Sequence, residues 1–215
     1  MPSQAQIQTY TTYTQATFPE QLQRFRAALM RLGCEDEQVL DWVMSISLPE
    51  TEDDSFGDIY ASPVTLAPPG VKKITCEDIE ITLYTQLAIP SIEELPSWVG
   101  FTLPIDVTNL QATPTSPYTA EAGHTIWHIL LELAHTFPEI GAYFTDEWQE
   151  NLVWRTIVEK AGNPWIFEMG IFPRNLAQYF EAVPGNYQGT VIDGGFGFAQ
   201  GKHWQQLPWA EALKK

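Results

Sequence analysis

The segment from Thr119 to Pro138 constrains this chain more than any other. From Ile126 to Leu133 every residue is apolar except His128 and Glu132. With His124 as the origin and about 100° per residue, His135, His128, Glu121 and Glu132 follow at about 20°, 40°, 60° and 80° around a helix. The apolar residues take the rest of the circumference. A helix of this kind is enclosed on most of its surface and keeps one polar strip for water. The fold must supply the enclosing layer.

Other periodicities say what that layer is. Thr17-Phe18-Pro19-Glu20 reads as a capping box opening a helix, with Leu22, Phe25, Leu29 and Leu32 at helical spacing and Gly33 as its stop. A second helix is expected from Asp36 to Ser45. Pro49 to Gly70 reads as an irregular acidic stretch. Ile79-Glu80-Ile81-Thr82-Leu83-Tyr84 alternates as a half-buried strand does. Val99 to Val107 is a second strand, placed at a sheet edge because Pro104 lacks a ladder donor. Thr145-Asp146-Glu147 reads as the capped start of a helix running towards Val158. Trp165 to Phe172 is a buried strand candidate, Pro173 opens a brief helix, and Asp193-Gly194 is the turn of a hairpin. The expected fold is α+β: an N-terminal helical pair, a small and mostly antiparallel sheet, and helices packed against it. Residues 1–16 read as a flexible tail or a first strand. Residues 17–215 read as a single α+β domain, with a candidate subdomain boundary in the Thr/Ser/Pro connector at 112–117.

Charge narrows the partners. Asp and Glu number 27 against 11 Lys and Arg, a formal charge of -16. Binding to nucleic acid needs basic clusters that displace counterions, and the longest basic runs are Lys72-Lys73 and Lys214-Lys215. Nucleic acid and anionic membrane surfaces are therefore not expected partners. A protein partner or a small molecule is, and a cationic one suits the charge. Two cysteines, Cys34 and Cys76, make no disulfide framework. With no leader-like N-terminus and no long apolar run, the expected location is cytoplasmic.

The polar strip holds the residues with specific chemistry. His124 and His128, four apart, can share one transition metal, and Glu132 and His135 are the further candidate ligands on the same face. No cofactor motif is present beyond this one place for a divalent transition metal. The helix does not carry His-Glu-x-x-His, since Thr125 stands where the base belongs. A solvated face explains the same residues, with Glu121 in the first turn and His135 in the last. His203, the remaining histidine, is a candidate outside ligand. Cys34, beside a helix start, is a candidate thiol nucleophile. The Gly185–Gly201 region suits a hairpin or a lid. Trp148, flanked by acids, and Trp204 are candidate contacts for a sugar or a cation in an aromatic groove. The expected function is a non-catalytic interaction or binding protein. The alternatives are a metal-dependent, hydrolase-like enzyme built on the histidine pair and an aromatic-lined binder of a small ligand or sugar.

Overall fold

The computed structural model describes residues 4–48, 57–84, 97–113, 115–146 and 154–210. Its main feature is an eight-stranded sheet in the order β2-β5-β6-β1-β7-β8-β10-β9. The strands are β1 (Gln4–Tyr13), β2 (Gly57–Tyr60), β5 (Ile79–Tyr84), β6 (Ser97–Asp106), β7 (Ala142–Asp146), β8 (Met169–Pro173), β9 (Tyr187–Ile192) and β10 (Gly195–Gln200). Every neighbouring pair is antiparallel. A separate two-stranded sheet joins β3 (Val64–Leu66) to β4 (Ile74–Cys76). The chain is α+β, and its sheet is larger than the small one expected.

Three helices pack with β3 and β4 on one face: α1 (Phe18–Arg31), α2 (Glu37–Ser45) and α3 (Ala120–Thr136). The helix α3 begins where Thr119 accepts from the Ala122 N–H at 3.2 Å. Its arc of Ile126, Ile129, Leu130 and Leu133 is wholly buried. The strand β10 is shaped to receive it. Gly195, Gly197 and Ala199 alternate with Phe196 and Phe198, so small residues line the helix face. A Cβ at Gly197 would stand 2.2 Å from the Trp127 ring. The opposite face of the sheet is aromatic: Tyr84 stacks on Trp154 at 4.0 Å, and Phe172 on Phe180 at 3.9 Å. A π-helical turn at Trp154–Val158 and a 3₁₀ segment at Arg174–Phe180 supply two of those rings.

Several local expectations are corrected. Thr17 does precede α1, but its side chain makes no capping bond to the helix. Its hydroxyl accepts from the Thr14 N–H at 2.8 Å instead, because a tight turn runs from Thr14 straight into the helix. Asp36 does cap α2, accepting from the Gln38 N–H at 2.9 Å. The acidic stretch from Pro49 to Gly70 contains β2 and β3; its residues 49–56 lie outside the described ones. Pro104 sits in β6 between two neighbours, not at an edge. The pairing of β5 with β6 ends at Glu80 and Thr102, so the missing donor falls beyond it, where the Pro104 carbonyl accepts from the Glu77 N–H. Thr145 and Asp146 close β7, paired with Gln6 and Ala5 of β1. Residues 147–153 of the helix expected after them lie outside the described ones, and Trp154–Val158 forms a π-helical turn.

The buried arc of α3 makes a quantitative prediction. Leu130→Ala should lower the unfolding free energy by about 2–5 kcal/mol in urea titration. Leu131→Ala, only partly buried, should cost clearly less. Equal losses at the two positions would show that the arc is not the packed face.

Candidate functional site

The structure divides the polar strip of α3. His124 and His128 are half-buried, and their Nε2 atoms lie 3.2 Å apart, one donating to the other according to tautomer. Burial, then the neighbouring His124, pushes His128 below the usual imidazole range. The Glu132 carboxylate turns to α1, where Arg31 Nε donates to it at 2.6 Å. Glu121 pairs with Lys72 at 3.3 Å. His135 is exposed and lines a separate groove with Pro138 and the Asp193–Gly195 turn. Among the described residues, no group of three or more His, Cys, Asp or Glu side chains is placed to hold a metal ion.

His203, the outside candidate, lies beside Glu168 instead, in a cleft of about 390 Å³. This cleft opens where several strand ends meet. Asp146 ends β7, and Glu168 immediately precedes β8. After β10 a short 3₁₀ turn, Gly201–His203, brings Lys202 and His203 to the same place. Gln111 and residues 115–118 form another wall. It is held by the Tyr118 N–H donating to the His203 carbonyl at 2.8 Å and the Gln205 N–H donating to the Tyr118 carbonyl at 2.9 Å. Tyr118, Asp146, Glu168, Lys202 and His203 all line the cleft.

Glu168 is the unusual member. Its backbone is fully tied: the N–H donates to the Phe144 carbonyl, and its carbonyl accepts from the Gln200 N–H and from Trp204 Nε1. Its carboxyl faces the backbone N–H groups of Glu168 and Asp146, which favour its charge, but one oxygen is left over. The residue is 2% exposed, and Oε2 is buried with no hydrogen-bond partner. His203 Nδ1 stands 3.9 Å from Oε1, beyond hydrogen-bonding reach. Burial, then the Asp146 charge, pushes the Glu168 carboxyl up to about 8. Burial, then Lys202, holds His203 below its usual range. Burial also raises the Tyr118 phenol, and Glu168 and Asp146 add to that. At neutral pH the cleft thus presents a mostly protonated acid beside a neutral imidazole. Leaving such a group unsatisfied costs about 1–3 kcal/mol.

The other sequence candidates stand elsewhere. Trp204 is buried behind the cleft, its ring against Tyr118 at 4.9 Å and against Gly123 of α3. It supports the wall and is not open to a ligand. Trp148 lies outside the described residues. Cys34 and Cys76 are buried free thiols. Burial raises the Cys34 thiol and pushes Cys76 up to about 12. The expected low-pKa thiolate at Cys34 is corrected: the Asp36 backbone N–H favours ionisation, but desolvation outweighs it.

Glu168 makes stability depend on pH. Its folded value lies above its unfolded one, so the folded state holds the extra proton between about 4.3 and 8. Stability from this group is present below that window and is lost as pH rises through it, by at most about 1.4 kcal/mol per unit. Glu168→Gln keeps the neutral shape at every pH. It should be more stable than the parent at pH 8–9, with the difference shrinking towards pH 5 in thermal melts. Parallel pH profiles would show that Glu168 is already ionised at neutral pH. No protein-family model, no curated protein and no solved structure matches this chain.

Proposed function

We propose that this protein is a non-catalytic binding protein and that the cleft at Glu168 holds its ligand. One observation carries this reading: a carboxyl buried to 2% exposure lines an open cleft with one oxygen unpartnered. Buried polar groups are almost always satisfied, and a ligand is what satisfies this one. The cleft volume falls in the range of small-ligand sites. Trp204 offers a built-in reporter, since its indole N–H donates to the Glu168 carbonyl at 3.2 Å. In protein labelled with ¹⁵N-tryptophan, fragments that bind should move the Trp204 indole resonance and leave that of Trp42, on α2, in place. Binding that moves only Trp42, or no movement at Trp204 with any fragment, would remove the cleft from consideration.

A second reading, the metal-dependent enzyme, rests on the histidine pair. Two nitrogens of a tetrahedral site with bonds of about 2.0–2.1 Å lie about 3.3 Å apart, and the two Nε2 atoms here are at 3.2 Å. Water or a residue outside the described ones would complete that site. Metal analysis of dialysed protein decides the matter: stoichiometric zinc, lost in His124→Ala with His128→Ala, favours the enzyme. Metal-free protein that takes up none on titration excludes it.

A further inference from the structure

We propose that the cleft at Glu168 receives one organic cation, a guanidinium or a primary ammonium, either free or as the side chain of a basic peptide. This rests on the cleft being the ligand site, and goes on to name the ligand's chemistry.

The argument begins with what the orphaned carboxyl lacks. Oε2 has no donor, and His203 Nδ1 stands 3.9 Å from Oε1, beyond hydrogen-bonding reach. The group needs N–H or O–H donors from outside. Guanidinium is a planar fork of donors that matches both oxygens of a carboxylate, and an ammonium offers three donors to the same atoms. A neutral amide also donates, so charge must choose between them. Asp146 lines the same cleft, and its charge adds to burial in raising the Glu168 carboxyl. Two carboxyls that resist joint ionisation are relieved when a positive charge enters between them. The arriving cation displaces the Glu168 proton and restores the charge the site disfavours when empty.

The rest of the cleft agrees. Tyr118 lines it with its ring packed against Phe144 and Trp204, so the wall there is aromatic and rigid. His203 cannot act as the internal cation, because burial and Lys202 keep its imidazole neutral at pH 7. Lys202 is the opposing group. It is exposed, so solvent screens it. An anion would have to approach past Asp146 in a chain of formal charge -16, which focuses cations instead.

The test uses the full chain labelled with ¹⁵N-tryptophan and four probes of matched length: butylguanidine, butylamine, butyramide and butyrate. The two cations should move the Trp204 indole resonance with affinities at least tenfold above butyramide, and butyrate should not move it. Glu168→Gln should lower cation affinity tenfold or more while leaving butyramide unchanged. Lys202→Ala, at an exposed position that should not disturb folding, should raise cation affinity and keeps the proposal testable should Glu168→Gln fail to fold. A peptide Gly-Gly-Arg-Gly distinguishes the sources: tighter binding than butylguanidine assigns the site to a protein's side chain, weaker binding to a free small molecule. Butyramide binding as well as butylguanidine, or butyrate binding better, would overturn the cation while leaving the cleft as the ligand site. If no probe moved Trp204, both readings would fall.

Discussion

The fold depends on β1 pairing along both its edges. Ten residues, Gln4 to Tyr13, meet β6 on one side, and five of them meet β7 on the other. Gln4 pairs with Asp106, and Ala5 with both Ile105 and Asp146. The first strand therefore joins two sheet halves formed from distant chain segments. Such pairings meet a large loop-closure cost before they gain stability. The helix α3 supplies the matching burial, since its apolar arc contacts β1, β7 and β8. Small residues on β10 let Trp127 approach closely, which is why Gly197 tolerates no side chain there.

The cleft is a consequence of this pairing. The strands β7 and β8 are neighbours, so the end of one and the start of the other deliver Asp146 and Glu168 to one place. The return of the chain after β10 adds His203, and the Tyr118 backbone clips the connector onto that return. Each residue is ordinary alone. Together they hold an acid in its neutral form where a ligand can reach it. The histidine pair of α3 has no such convergence among the described residues: Glu132 and Glu121 are tied to Arg31 and Lys72. Those ion pairs fasten α3 to its neighbours and are exposed enough that each adds little.

Local signals were legible wherever one segment decided its own conformation. The extent of α3, the alternation of β5 and the Asp193-Gly194 turn all follow from periodicity or turn chemistry within a few residues. They misled where another segment decided. Thr145-Asp146 reads as a cap from its own sequence, and pairing with β1 makes it the end of a strand as well. Pro104 lacks a donor, yet it sits inside the sheet because β5 stops pairing before reaching it. Glu168 was visible as the single acid in the apolar run from Trp165 to Phe172. An acid in an apolar run is the signal that finds this site, and only its burial just before β8 shows that it matters.

By itself the sequence determined the object: an acidic α+β chain with a long helix enclosed on most sides. These follow from composition and periodicity, which each residue carries with it. The tertiary structure alone decided which polar groups meet. It separated Glu132 and His135 from the histidine pair, placed His203 beside Glu168, and buried that acid near Asp146, which together raise it to about 8. The reason is physical. A pKa and a missing hydrogen bond belong to an environment, and strand pairings between residues more than a hundred positions apart create that environment.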